Sequence, residues 1–326
     1  MGNSREVLTP IRFGFLILPG FSLMALSAAS EPLRAANRLA GRSLYEWRLL
    51  SPRGEAVPSS SGFQLQPDGG LDLDVPFDAV VVVASLNVAD FHDASVFKWL
   101  RQQEHRGCDI GAVSTASLLL ARAGLLKGYR FTIHWETAKD FMEEFPDLKP
   151  SRTLFVIDRK RFTCGGGIAG LDMMLALIAR QFGSALASGV AEQFLHTHIR
   201  SAEDSQRTDV VGRYGTTIPA LVTALTLMES CIEQPMPIKL IAARSGVTER
   251  HLERLFINHL QATPARFYMD LRLREAKRLL SETDTPLTEV ALRCGFTSPS
   301  HFGRCFRRAF QQTPRQARRH MSISGR

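Results

Sequence analysis

Two arginines occupy the same place in two copies of one sequence pattern. Arg254 and Arg304 stand 50 residues apart, and each lies two residues before a phenylalanine, Phe256 or Phe306. A guanidinium can donate two hydrogen bonds at once to O6 and N7 of a guanine in the major groove of DNA. A single surface arginine is often only a solvated charge. A matched pair on the same helix face is a stronger candidate for reading a base sequence.

The surrounding repeat has the pattern of a helix-turn-helix. An apolar segment leads to Gly246 in the first copy and to Gly295 in the second, and a further amphipathic segment ends before Thr263-Pro264 or Thr313-Pro314. In such a motif the second helix enters the major groove. Two units in one chain therefore predict a protein that contacts two neighbouring grooves of double-stranded DNA.

The predicted recognition helices each place polar side chains beside an apolar face. Arg250 and Arg254 are four residues apart and so share one face of the first helix. Arg307 and Arg308 lie further along the second helix, where contact with phosphate is expected. The candidate DNA-contacting residues are Arg250, His251, Glu253, Arg254, Ser298, Ser300, His301, Arg304, Arg307 and Arg308.

A run rich in Leu, Arg, Glu and Lys, residues 265–281, separates the two units. As a helix it would span roughly 25 Å. With the widths of the two units added, the recognition helices could lie about one DNA turn apart, roughly 34 Å.

The positive charge of the chain is confined to its last third. Residues 213–326 contain 18 Lys and Arg against 9 Asp and Glu, whereas the preceding 212 residues contain 22 against 23. The formal net charge of +8 for the whole chain therefore arises in the segment that holds the repeat. A basic domain beside a near-neutral one is typical of phosphate binding.

Length and composition limit the remaining classes. The 326 residues, 44% of them hydrophobic, suffice for two globular domains. Five cysteines without a C-x-x-C pair indicate reduced thiols in the cytoplasm, with no metal site and no cofactor. The early apolar run 13–18 is too short for a signal peptide or a membrane span, so no membrane association is expected.

The first two thirds of the chain alternate between strand and helix patterns. Apolar runs at 11–18 and 79–84 are typical of buried parallel strands, and 23–39 and 169–182 are helical in pattern. This alternation predicts an α/β fold, a flavodoxin-like parallel sheet between helices, followed by an all-α domain with two helix-turn-helix units. The predicted limits are 10–190 for the α/β domain, 191–218 for a connector and 219–320 for the DNA-binding domain.

The segment 111–117 joins an apolar strand to an apolar helix and has the form of a nucleophile elbow, with Ser114 at the turn. Ligands of open parallel sheets bind at the carboxyl ends of the strands, and the helix that follows would favour a ligand carboxylate. Trp135 could face a quaternary ammonium, or could simply pack in the core. The candidate ligand-binding residues are Ser85, Asn87, Ser114, Thr115, His134 and Trp135.

Residues 219–320 resemble the DNA-binding domain of AraC/XylS-type transcription regulators. The resemblance is carried by E-V-A-L-R-C-G-F-T-S-P-S-H-F-G-R-C-F-R at residues 289–307, followed by Thr313-Pro314. It implies two helix-turn-helix units joined by a helix, with base contacts from the faces described above. Promoter DNA and RNA polymerase are the partners that such a regulator implies.

The α/β segment resembles the ThiJ/PfpI-like sensor domain of the class I glutamine amidotransferase-like superfamily. The residues concerned are 120–128, 132–135, and Cys164-Gly165-Gly166-Gly167 with 171–175. Together the two resemblances cover about residues 10–320. They point to a subgroup of AraC regulators, some of which control carnitine, glycine betaine, choline or arginine catabolism. This implies a non-enzymatic regulator, expected to be an activator and a homodimer through its N-terminal domain, that senses a small nitrogenous metabolite.

Two alternatives remain open. Enzymes of the superfamily carry Cys at the elbow, where this chain has Ser114, and a serine needs an adjacent base to become a nucleophile. His134 is the candidate base, which leaves a hydrolase or amidase with an accessory DNA-binding domain as one alternative. In the other, the α/β domain binds no effector and only dimerises.

Overall fold

The protein, here in a computed structural model, consists of two compact units, Met1–Arg207 and Thr208–Arg326. The structure describes residues 9–207, 210–283 and 285–323, without the side chains of residues 282 and 319–323. The domain limits 10–190, 191–218 and 219–320 stay predictions. Short helices occupy parts of the predicted connector, which the sequence pattern left without structure.

The first unit is built on a six-stranded sheet with the strand order β2-β1-β5-β6-β8-β7. All neighbouring strands are parallel except β7, which is antiparallel to β8. A separate hairpin pairs β3 with β4. The strands are β1 Ile11–Ile17, β2 Tyr45–Leu50, β3 Val57–Pro58, β4 Gln64–Leu65, β5 Ala79–Ala84, β6 Asp109–Ser114, β7 Phe155–Asp158 and β8 Arg161–Cys164.

Helices cover both faces of this sheet, which confirms the predicted α/β class. The central strand β5, with the sequence A-V-V-V-V-A, is buried along its whole length, as a parallel strand between two helical layers must be. One hydrophobic core lies under α1, α5 and α6, and the other under α2, α3 and α4. These helices are α1 Leu23–Ala40, α2 Ala94–His105, α3 Ser117–Arg122, α4 Ala138–Glu144, α5 Ala169–Phe182 and α6 Ser184–Gln193.

The described part of the second unit is helical throughout and contains two hydrophobic cores, one for each copy of the repeat. Leu252 and Phe256 are buried in the first core, and Phe302 and Phe306 are buried in the second. The helices are α7 Val210–Tyr214, α8 Pro219–Ser230, α9 Ile238–Arg244, α10 Glu249–Leu260, α11 Pro264–Glu282, α12 Leu287–Arg293, α13 Pro299–Phe310 and α14 Pro314–Ile323.

Helix α11 belongs to both of these cores. Near its start, Phe267 and Tyr268 pack into the first core, whereas Leu273, Ala276 and the following apolar residues pack into the second. At 1.5 Å per residue the 19 residues of α11 span about 28 Å. The predicted connecting helix is thus present, and both repeats are packed on it.

The two turn glycines occupy equivalent positions but different surroundings. Gly246 and Gly295 both have φ +73°, a conformation that is strained for residues with a side chain. A Cβ at Gly246 would meet nothing within 4 Å. A Cβ at Gly295 would lie 2.5 Å from Cγ of Pro235 and 2.7 Å from the carbonyl oxygen of Ile232. The segment before α9 therefore packs directly on the second turn.

This difference predicts unequal costs for one substitution. Gly246→Ala should destabilise the helical unit by about 1–2 kcal/mol, the cost of a left-handed residue with a Cβ. Gly295→Ala should cost about 1–3 kcal/mol more, because the methyl group must also displace Pro235. Urea denaturation of the isolated helical unit would measure both. Equal costs at the two positions would show that the contact with Pro235 contributes nothing.

Candidate nucleic-acid interface and ligand pocket

Helix α10 exposes all four of the predicted contact residues of the first repeat. Its N-cap is Thr248, whose hydroxyl accepts a hydrogen bond from the backbone N–H of His251 at 3.2 Å. Leu252 and Phe256 bury the opposite face. The side chains left in solvent include Arg250, His251, Glu253 and Arg254.

Helix α13 repeats this arrangement in the second unit. Ser298 is its N-cap and accepts a hydrogen bond from the backbone N–H of His301 at 3.4 Å. This bond uses one lone pair of the Ser298 hydroxyl and leaves its proton for a second partner. The imidazole of His301 lies edge-on to Phe296 at 5.7 Å and remains exposed. Ser300, Arg304, Arg307 and Arg308 are also exposed.

Two side chains of α11, one helical turn apart, fix both repeats. The hydroxyl of Tyr268 donates to the carbonyl of Cys231 at 2.6 Å and accepts from the N–H of Met236 at 3.3 Å, just before α9. Arg272 donates to the carbonyls of Cys294 and Gly295 at 2.8 and 2.7 Å, at the turn of the second repeat. Burial lowers the pKa of Arg272 from its ordinary value. These bonds set how the two recognition helices are held relative to one another.

The backbone of the α/β unit forms the predicted elbow at Ser114. Ser114, the last residue of β6, has φ +65°, the left-handed conformation that turns a strand sharply into a helix. Its neighbour is Gly166, where a Cβ would lie 2.6 Å from Cβ of Ser114. Helix α3 after the elbow has only six residues, so its dipole is a weak source of attraction for a carboxylate.

The structure brings most of the predicted ligand residues together at the carboxyl ends of β5 and β6. The hydroxyl of Thr115 donates to the carbonyl of Ser85 at 2.9 Å. The backbone N–H of His134 donates to the carbonyl of Ser114 at 3.1 Å. Asn87 follows two residues after Ser85, is exposed, and has φ +57°. Ser85, Ser114, Thr115 and His134 therefore lie together at this edge of the sheet, and their role in binding a ligand stays a prediction.

The imidazole of His134 contacts Glu136. Its Nδ1 lies 3.4 Å from the backbone nitrogen of Glu136 and 3.7 Å from Oε2 of that residue. Among the described residues, the hydroxyl of Ser114 forms no hydrogen bond to an imidazole or a carboxylate. His134 is therefore bonded to the elbow through its backbone N–H, which donates to the carbonyl of Ser114.

Trp135 has a neighbour that the sequence did not indicate. The guanidinium carbon of Arg207 lies 4.1 Å from the centroid of a Trp135 ring, and 40% of Trp135 remains exposed. The cation–π contact predicted for a ligand is therefore already made on one face by the protein. Arg207 and its neighbour Gln206 were missed because they lie 71–72 residues along the chain, in a polar segment without a pattern.

A thiol does lie beside the elbow. Cys164 lies beside the backbone of Ser114 and Gly166 and is completely buried. Burial raises the pKa of the Cys164 thiol to about 12. At neutral pH this group is protonated and is not the thiolate that acts as a nucleophile.

A cavity of about 720 Å³ lies elsewhere on the α/β unit, between the start of α1, the β3–β4 hairpin and the start of α5. Leu23, Met24, Ile168 and Phe194 supply apolar walls, and Glu31 is the charged residue of its lining. The six predicted ligand residues do not line this cavity. It is therefore a separate depression that a ligand test must distinguish from the elbow.

Neither a membrane-spanning helix nor a metal site is found among the described residues. None of their helices is long and apolar enough to span a membrane. No group of three or more His, Cys, Asp or Glu side chains within 9–207, 210–283 and 285–323 is arranged to hold a metal ion.

Comparison with known proteins identifies both units. A family described as a helix-turn-helix domain matches residues 241–320, and the DJ-1/PfpI family matches residues 14–180. The HTH-type transcriptional regulator GbdR of Pseudomonas aeruginosa is 42% identical over 309 residues, 95% of this chain and 84% of its own. The HTH-type transcriptional regulator CdhR of the same species is 43% identical over 306 residues, 94% and 91% of the two chains.

The fold agrees with a solved structure. The crystal structure of an AraC family transcriptional regulator from Pseudomonas putida is 27% identical, with a TM-score of 0.53, and the match covers 57% of this chain and all of that one. A DJ-1/PfpI unit followed by a helix-turn-helix unit defines a DNA-binding transcription regulator. The chain belongs to the AraC-family regulators of this architecture, and it is a regulator rather than an enzyme.

The paired arginines generate the first test of the DNA interface. Arg254→Ala and Arg304→Ala should each relax sequence preference, at sites about one helical turn apart, with a loss of roughly 1–3 kcal/mol per base contact. Arg308→Ala is the matched control and should weaken binding to all sequences alike. Footprinting on a library of operator variants would measure this. Unchanged specificity in both paired variants would show that other faces read the bases.

The charge distribution generates a second test. A fragment of residues 213–326 should bind DNA by itself, because it carries the charge excess and both repeats. Its affinity should fall steeply as salt concentration rises, because each contacted phosphate releases counterions. Fluorescence anisotropy across a salt series would give the slope. A flat dependence between low and moderate salt would contradict phosphate contact as the main source of affinity.

Proposed function

We propose that this regulator is a transcription activator whose response is set by a small nitrogenous metabolite bound at the elbow of the α/β unit. The observation that carries this proposal is the elbow itself: Ser114 retains the left-handed turn of the superfamily while lacking its thiol. A pocket kept without the nucleophile suits binding without turnover. The effector classes are a betaine, carnitine, choline or an amino acid.

The polarity of the surrounding groups supports a zwitterionic effector. The hydroxyl of Ser114, the last residue of β6, can donate a hydrogen bond to a carboxylate. The exposed part of Trp135 can accept a quaternary or primary ammonium. Betaines, carnitine and amino acids carry both charges. Choline carries only the cation and would use the aromatic contact alone.

The remaining partners follow from the proposed activity. Promoter DNA is bound by the two recognition helices, and an activator acts on RNA polymerase in the cytoplasm. We propose a homodimer through the α/β unit, supported by the exposed apolar side chains Met24, Ile168 and Leu195 on that unit, because large exposed apolar residues in one region often mark an interface. Sedimentation of Met24→Asp as a monomer would support this interface.

The effector is testable by thermal unfolding of the full-length protein. Glycine betaine, carnitine, choline and arginine, added singly, form the panel, because a compound that binds only the native state raises the Tm. Ser114→Ala should reduce the shift by the worth of one hydrogen bond, about 0.5–1.5 kcal/mol of binding free energy. Ser114→Trp should abolish the shift and the change in transcription on adding the compound, but leave DNA binding intact.

Two further variants and one probe separate the alternatives. Ala28→Phe fills the 720 Å³ cavity instead of the elbow, so loss of the shift in this variant alone would move the site there. Stoichiometric labelling of Ser114 by a serine-reactive phosphonate would support the hydrolase alternative. An unchanged Tm with every compound in the panel would favour an α/β unit that only dimerises.

A further inference from the structure

The last residues of the α/β unit, 202–207, lie close to the elbow. The backbone N–H of Leu154 donates to the carbonyl of Ala202 at 3.1 Å, and Thr153 forms an antiparallel bridge with Ser205. Gln206 and Arg207 follow, and Arg207 is the last residue of this unit. The segment 202–207 is thus docked on the unit along its length.

Within this segment, the side chain of Gln206 forms the largest set of hydrogen bonds. Its side-chain Oε1 accepts a hydrogen bond from the backbone N–H of Trp135 at 2.9 Å. Its Nε2 lies 2.8 Å from Oγ1 of Thr132, 2.9 Å from the carbonyl of Ile133 and 3.0 Å from the carbonyl of Thr153. Both ends of one amide are therefore bonded to the segment that carries His134 and Trp135.

Gln206 is also linked to Ser114 through two adjacent glycines. A Cβ at Gly165 would lie 2.5 Å from the side-chain Cδ of Gln206, and a Cβ at Gly166 would lie 2.6 Å from Cβ of Ser114. The backbone of these two glycines is packed between the two side chains without space for a further atom. A larger side chain at Ser114 that extends toward Gly166 would therefore displace this backbone toward Gln206.

The segment is anchored upstream by a buried carboxylate. Asp172 is completely buried and accepts hydrogen bonds from Nε2 of His196 at 2.8 Å and from the side chain of Arg200 at 2.7 and 3.0 Å. This pair of contacts holds the chain as far as residue 200. If the hydrogen bonds of Gln206 break, only residues 201–207, which lead out of the unit, are consequently freed.

We propose that Gln206 is a positioning residue that couples occupancy of the elbow pocket to the exit of the chain toward the DNA-binding unit. When the pocket is filled, the backbone at Gly165, Gly166 or Trp135 shifts, the hydrogen bonds of Gln206 break, and residues 202–207 detach. The proposal deepens the proposed function, since it assumes a ligand at the elbow. It makes no assumption about which compound that ligand is.

The peptide bond after Arg207 provides a direct readout in the full-length protein. Trypsin cleaves after arginine, and cleavage requires the docked segment to open. Gln206→Ala should accelerate cleavage at Arg207 about tenfold or more, because several hydrogen bonds of the closed segment are lost. Gln102→Ala, an exposed glutamine on α2, is the matched control. Cleavage after Arg106, at the amino end of β6, serves as the internal reference.

Filling the pocket by mutation replaces the unidentified ligand. Ser114→Trp should accelerate cleavage at Arg207 to a similar extent, whereas Ser43→Trp, at an exposed turn on the opposite edge of the sheet, should not. In the double variant with Gln206→Ala, the effect of Ser114→Trp should be absent, because the two act on the same contact. A promoter reporter should show the same loss of additivity, which a merely structural role of Gln206 would not produce.

The outcomes separate this inference from the proposed effector. Unchanged cleavage at Arg207 in Gln206→Ala, or in Ser114→Trp, would overturn the coupling even if a compound of the panel raises the Tm. Additive effects in the double variant would overturn it as well. Accelerated, non-additive cleavage would support the coupling even if no compound of the panel binds.

Discussion

The packing of α11 into two hydrophobic cores is the constraint on which the DNA-binding unit depends. Phe267 and Tyr268 close the first core, and Leu273 and Ala276 belong to the second. Neither repeat has enough helices to bury its apolar face alone, so each uses part of the same helix. The hydrogen bonds of Tyr268 and Arg272 then fix both repeats on one rigid rod. A helix shared in this way gives the two recognition helices a defined separation.

The elbow of the α/β unit shows how a fold can be kept while its chemistry changes. The left-handed turn at Ser114 and the close approach of Gly166 are backbone features and do not require a thiol. The nearby Cys164 cannot replace it, because burial raises the pKa of its thiol to about 12. A hydroxyl at this position can donate a hydrogen bond to a ligand. This chemistry is consistent with the effector site proposed at the elbow.

Residues 196–207, in the first part of the predicted connector, are packed on the first unit. Asp172 holds it at His196 and Arg200, and Gln206 holds it at the elbow. A flexible linker would not communicate the state of a pocket, because its free ends lose orientation. A segment docked by a few hydrogen bonds can be released by a small displacement. In the coupling proposed above, release of this segment is how the α/β unit alters the chain that leads to the DNA-binding helices.

Local patterns in the sequence were sufficient for the architecture and for the exposed faces of α10 and α13. The repeat with Gly246 and Gly295, the periodic burial around Phe256 and Phe306, and the all-apolar β5 each depend on neighbours within one element, so their period reveals them. The turn at Ser114 was predictable for the same reason. Short helices with weak patterns, such as α6 and α7, were not recognised, since their apolar faces are too small to stand out.

The contacts that join distant parts of the chain were decided by the tertiary structure alone. The sequence does not show that Gln206 bonds to Trp135, that Arg207 covers its ring, or that Asp172 holds Arg200, because each partner lies 28 to 72 residues away without a repeating pattern. Gly295 and Gly246 look alike in sequence, yet only Gly295 has Pro235 against it. The periodicity of apolar residues shows which face of a helix or strand is buried. Which residues of another element contact that face is determined only when the chain folds.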